Sequence, residues 1–85
     1  MLDRMKKTAK EYYDIEVKDP IEELQRLFRG EEGFKFVVRK LARLFDSTDY
    51  KYFSFAEACF VVYMWLTQDL YWNSYAECWQ EKEDD

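Results

Sequence analysis

Cys59, Cys78, Asp69 and Glu77 are the side chains whose types could carry covalent or acid–base chemistry, and their surroundings in the sequence offer them little support. The chain has 85 residues and no histidine, so neither a Ser–His nor a Cys–His pair can be assembled. Asp69 and Glu77 could act as paired carboxylates, but they stand eight positions apart on a polar segment, with nothing to bury and tune them. Two glycines do not make a glycine-rich phosphate cradle. Two cysteines without histidine or a Cys-x-x-Cys spacing do not make a recognisable zinc site. The expectation is a protein that is not an enzyme and holds no cofactor or metal. Cys59 and Cys78 both fall in helix-like segments and read as buried free thiols.

Recognition is the chemistry that remains. Trp65, Trp72 and Trp79 recur at seven-residue intervals, which on one continuous helix places them along a single stripe. Aromatic residues make up 20% of the chain, more than so small an interior can hide. Trp65 has apolar neighbours and reads as core. Trp72 and Trp79, beside Asn73, Gln80 and acidic residues, read as exposed anchors, with Tyr71 and Tyr75 next to them. Asp69, Glu77 and Glu81 would form the acidic rim of that contact surface.

Charge is divided unevenly. Residues 1–45 carry eleven Lys and Arg against nine Asp and Glu, a net of +2; residues 46–85 carry two against nine, a net of −7. An acidic, aromatic C-terminal half disfavours direct nucleic-acid binding and suits a partner protein with a basic, nucleic-acid-binding surface. The basic face of Arg39, Lys40 and Arg43 offers a nucleic-acid alternative, in an arrangement outlining a helix-turn-helix around Gly30. That third helix has no Asn, Gln or Ser for base edges, and Glu31 and Glu32 sit in the linker before it. Basic and aromatic residues also occupy different halves of the chain, which counts against a single-strand stacking platform.

The elements that must position these residues read as helices, because one proline and two glycines leave little material for the turns of many strands. Residues 2–14 carry apolar side chains at Leu2, Met5, Ala9 and Tyr12/Tyr13. Asp19-Pro20 starts a helix over 20–29, with Asp19 as cap, Glu22 to close a capping box and Gly30 to stop it. Glu31-Glu32-Gly33 is a connection, and 34–45 repeats Phe34, Val37/Val38, Leu41 and Leu44/Phe45 at helical spacing. Phe34, Phe36 and Val38 also alternate, as a short strand would. A polar-aromatic linker, 46–53, leads to Ser54 and Glu57, a second capping box. The last helix runs over 55–82 and is apolar on all sides at its start; Asn73-Ser74, with a third capping pattern from Ser74 to Glu77, offers a break at 73–74 as the alternative. The fold class expected is therefore all-α: one domain over 1–85, a small bundle of four to five helices around a central apolar C-terminal helix.

The longest uncharged run, 58–68, is too short to cross a bilayer, and the N-terminus lacks an apolar leader core, so a soluble cytoplasmic protein that does not enter membranes is expected. A short, acidic, aromatic-rich chain without catalytic motifs is similar in composition to small inhibitors and regulators encoded by phages and mobile elements. The leading expectation is a non-enzymatic binding module that occludes a partner protein through its acidic-aromatic C-terminal surface. The alternatives are a homo-oligomer, with a homodimer consuming the aromatic face, and a nucleic-acid-binding regulator using the basic helix.

Overall fold

A single helix collects almost everything else around it. In the computed structural model, which describes residues 1–46 and 50–81, the chain order is α1 (Leu2–Tyr13), α2 (Pro20–Leu27), α3 (Glu31–Asp46), α4 (Phe55–Gln68), β1 (Leu70–Asn73) and β2 (Cys78–Glu81). The all-α expectation is corrected: this is a small mixed fold of four helices and an antiparallel hairpin. The side chain of Phe34 and the tail Glu83-Asp84-Asp85 lie outside the described residues.

Helix α4 forms where the sequence announces it. Ser54 Oγ accepts from the Glu57 N–H at 3.2 Å, and Glu57 Oε1 accepts from the Ser54 N–H at 3.1 Å, closing the capping box. Ala58, Cys59, Phe60, Val61, Val62 and Met64 are buried, because α2, α3 and β1 all pack on this one helix. Helix α2 starts at the expected cap: Asp19 accepts from the N–H groups of Ile21 and Glu22 at 3.1 and 3.3 Å, with Pro20 at the first helical position. It stops earlier than expected, at Leu27. Gly30, at φ +94°, is then a pivot between two helices and not the terminator of α2. Residues 31–33, read as a connection, are the first turn of α3. A Cβ at Gly33 would stand 3.2 Å from the Phe28 backbone, so a bare Cα lets the start of α3 lie close against the end of α2.

The C-terminal half departs most from expectation. Helix α4 ends at Gln68 because Asp69 turns left-handed, at φ 54°, and its N–H closes on Met64 O. The chain then alternates: Leu70 and Trp72 point inward, Tyr71 and Asn73 outward. Asn73 makes the turn. Its side-chain oxygen accepts from the N–H groups of Tyr75 and Ala76, both at 3.0 Å, and its carbonyl accepts from the Glu77 N–H at 2.8 Å, with Glu77 at φ 54°. Trp72 then pairs directly across the hairpin with Trp79. The seven-residue spacing of these two indoles is a cross-strand register and not a helical stripe.

The hairpin is bolted to α1 and α4 by aromatic rings. Trp79 stacks on Phe60, centroids 5.1 Å apart, and meets Trp72 edge-on at the same distance. Its indole N–H donates to Met5 O at 2.9 Å, and Tyr13 donates its hydroxyl to Trp79 O at 3.1 Å. Burial, with the Glu81 carboxylate adding to it, pushes the Tyr13 phenol above its ordinary pKa. Tyr50 stands edge-on to Phe53 and donates its hydroxyl to Trp72 O, so part of the linker does close one end of the core, while Tyr52 stays exposed.

The Trp72 indole N–H is buried without a protein acceptor. Trp72→Phe and Trp79→Phe remove the same ring area, but only the second breaks a hydrogen bond. Urea unfolding should therefore show Trp79→Phe less stable than Trp72→Phe by about 1 kcal/mol. Gly30→Ala places a side chain at positive φ and should cost about 1–2 kcal/mol in the same assay.

Candidate protein-binding face

The surface expected to bind a partner does not exist as one surface. Trp72 is 0% exposed and Trp79 is 4% exposed, so neither can serve as an anchor; both belong to the core. Trp65, expected inside, is 41% exposed. The reversal follows from the hairpin, which turns the inward face of both strands onto α4. Tyr71 is half-buried, donating its hydroxyl to Gln80 Oε1 at 2.5 Å, where the Asn73 amide also donates at 3.2 Å. That outward face is spent on its own polar network. Tyr75, 88% exposed, and Glu77 stand at the turn, where Glu77 meets Arg4 at 3.5 Å. Asp69 and Glu81 flank the other end, since Leu70 pairs with Glu81. The acidic rim is thus split between two ends of a hairpin about 10 Å long.

The basic residues expected as a secondary face come together with aromatics instead. The segment 35–43 of α3 carries Lys35, Arg39, Lys40 and Arg43 and no acid. Lys40 Nζ lies 5.6 Å from the ring centre of Phe36 and 5.9 Å from that of Trp65, placing one cation between two half-exposed rings. Arg43 lies on the same flank, one turn further along. The separation of basic and aromatic residues along the chain therefore does not survive folding. Among the described residues neither Lys40 nor Arg43 makes an ion pair, whereas Arg4, Lys7, Lys10 and Arg26 each meet a carboxylate.

Two grooves run along α3. One, of about 340 Å³, lies between α3 and α4 and is lined by Lys40, Arg43, Leu44, Tyr50, Val62, Trp65 and Leu66. The other, of about 430 Å³, separates α2 from α3, with Leu24, Val38 and Leu41 in its walls and Cys59 at its α4 side. They exist because α2 and α3 each pack on α4 and barely on one another. Val38 and Phe36 stay exposed on α3, and Leu27 and Phe55 on the neighbouring elements. The spacing of α3 did mark Phe36 as lying off its buried stripe. No local signal marked Trp65: Val61 and Val62, one turn earlier, are fully buried, and the ring emerges because α3 presents Lys40 and Arg43 beside it.

Cys59 is buried as expected, but Cys78 is half-buried and starts strand β2, not a helix, because the Asn73 turn folds the chain back. Both are free, and burial, with Asp19 nearby, pushes the Cys59 thiol up to about 11, which keeps it protonated at neutral pH. Among the described residues no group of three His, Cys, Asp or Glu side chains gathers as a metal site would require, and no helix is long and apolar enough to cross a membrane. No family model matches the chain, and neither the curated proteins nor the solved structures contain a significant match.

A thiol titration with an aromatic disulfide reagent should modify Cys78 first and Cys59 only on unfolding. The folded Cys59 keeps its proton up to about pH 11, while a solvated thiol loses it near about pH 8.5. Over that window the unfolded state sheds a proton that the folded state retains, so stability is complete below it and falls as pH rises through it. Urea midpoints measured from pH 8 to 10 should fall more steeply for the wild type than for Cys59→Ala. Trp65 should also carry nearly all iodide-quenchable fluorescence, and Trp65→Phe should abolish that quenching.

Proposed function

We propose that this chain is a non-enzymatic protein-binding module, a small regulator or inhibitor whose contact surface is the face of α3 and the last turns of α4. The observation that carries the reading is the exposed Trp65 at the edge of an apolar groove, with Phe36 half-exposed on the other side of Lys40. Tryptophan is the residue type most enriched among energetic anchors of interfaces, and a groove beside it supplies a place for a partner's apolar side chains. The face requires no rearrangement of the core, because the hairpin that secures the fold lies on other flanks of α4. Nothing in the arrangement of nucleophiles, acids or bases competes with binding as a role for these residues.

The test compares two faces of the same folded domain. The tagged full chain captures its partner from lysate of the cells that encode it, and the affinity of the purified pair is then measured for variants. Trp65→Ala is expected to weaken binding by about 30-fold, corresponding to about 2 kcal/mol, with its thermal midpoint near that of the wild type. Tyr75→Ala, at the hairpin turn, is expected to leave affinity unchanged. The reverse pattern would move the contact surface to the hairpin and sink the proposal. A solution mass that doubles with concentration and returns to the monomer value in Trp65→Ala would assign the face to self-association instead.

A further inference from the structure

The groove between α3 and α4 has a chemical polarity that its neighbour lacks. Leu44, Val62 and Leu66 form an aliphatic floor, Trp65 forms one wall, and Lys40 and Arg43 form the rim. Lys40 and Arg43 stand three residues apart on one helix, so their charges are spaced by about one turn. On α4 the only charged residue from Phe55 to Gln68 is Glu57, at the opposite end from Trp65. The rim is therefore cationic, with no carboxylate among the described residues that line the groove; Asp69, the C-cap of α4, stands one turn beyond Trp65. The α2–α3 groove, by contrast, has no charged residue among the described residues of its lining.

An apolar floor beneath cations that make no ion pair among the described residues selects its occupant. A purely apolar segment would leave Lys40 and Arg43 desolvated and unmatched on binding, which costs free energy. A basic segment would be repelled. A single nucleic-acid strand would satisfy the cations and could stack on Trp65, but it cannot fill an aliphatic floor. An acidic amphipathic helix satisfies both parts: carboxylates spaced one turn apart meet the rim, and its leucine or phenylalanine stripe enters the groove.

Resting on the binding-module reading, we infer that the α3–α4 groove takes an acidic amphipathic helical segment of a partner protein, with Lys40 and Arg43 pairing its carboxylates and Trp65 packing on its apolar stripe. Arg39 and Lys35, on the far flank of α3, extend the positive field that steers the segment toward the groove. Phe36 and the stem of Lys40 continue the apolar wall.

The experiment titrates the full chain with a fluorescein-labelled peptide of about 14 residues, carrying Glu at one-turn spacing on one face and Leu and Phe on the other. A scrambled peptide of the same composition, a peptide with every Glu replaced by Lys, and a single-stranded oligothymidine complete the set. Saturable binding of the acidic amphipathic peptide is expected, weaker by tenfold or more for the scrambled form, and falling as salt is raised through the range that screens surface charge, about 0.05 to 0.5 M. Lys40→Glu combined with Arg43→Glu should lower that affinity by about tenfold or more and gain affinity for the lysine peptide. That rescue separates lost pairing from lost folding. Amide shifts on binding should concentrate around Lys40, Arg43, Val62 and Leu66. Equal binding of the scrambled peptide, no saturable binding of the acidic peptide, indifference to the double charge reversal, or tighter binding of oligothymidine would each overturn the inference. If these fail while Trp65→Ala still weakens the captured partner, the acidic chemistry is wrong and the binding face stands. If Trp65→Ala has no effect, the face itself is wrong.

Discussion

The indole of Trp79 is the point on which this small fold turns. It stacks on Phe60 of α4, meets Trp72 of β1 edge-on and gives its N–H to the α1 carbonyl of Met5, while the backbone carbonyl of Trp79 accepts from the Tyr13 hydroxyl. Four elements are joined through one residue of a four-residue strand. A domain of this size buries too little surface to be held by area alone, so a ring that fills the core and also satisfies two polar groups has unusual weight. The Arg4–Glu77 pair supports the same junction from the surface, where an exposed ion pair adds little. What Trp79 secures is the docking of the hairpin and, through it, the left-handed exit of the chain from α4 at Asp69.

The hairpin and α2 both pack on α4, and α3 keeps Phe36 and Val38 facing water beside the exposed Trp65 of α4. The two flanks of α3 become grooves, and only one of them carries charge. The asymmetry follows from helix geometry: Lys40 and Arg43 fall on the α4 side of the buried stripe of Val37, Leu41 and Leu44, and Val38 and Ala42 fall on the α2 side. A helix flanked by apolar slots, with cations on one edge, is the feature on which the proposed recognition surface rests.

The electrostatic character of the molecule changes with this arrangement. By net charge it is acidic, and a basic partner would be the natural complement. Folding sets Asp69 and Glu81 at one end of the hairpin and Glu77 at the other, where it meets Arg4, while the basic residues of α3 stay grouped on one helix. Lys40 and Arg43 thus put positive charge at the groove rim of a molecule whose net charge is negative, and a docking segment meets charges within a Debye length most strongly.

Much of the helical frame was determined by sequence alone. Asp19-Pro20, the Ser54–Glu57 box, the Met5 and Ala9 stripe and the apolar run of 55–66 act through contacts within a few residues, and each is where local physics puts it. The helical setting of Arg39, Lys40 and Arg43 was legible for the same reason, but only folding brings Lys40 and Arg43 to one groove without Arg39. The C-terminal third was decided by tertiary structure. Residues 70–81 satisfy a helical period as well as a strand alternation, and a 3.6-residue period over so short a run does not exclude a period of two. The choice was made by Asp69 and Glu77 adopting positive φ, by the Asn73 turn, and by the burial of Trp72 and Trp79 against Phe60 and Met5, partners far away in the chain. The same distant packing inverted the roles of the three tryptophans. Exposure belongs to what covers a residue, and at Trp65 the covering element presents Lys40 and Arg43, which no pattern around position 65 encodes.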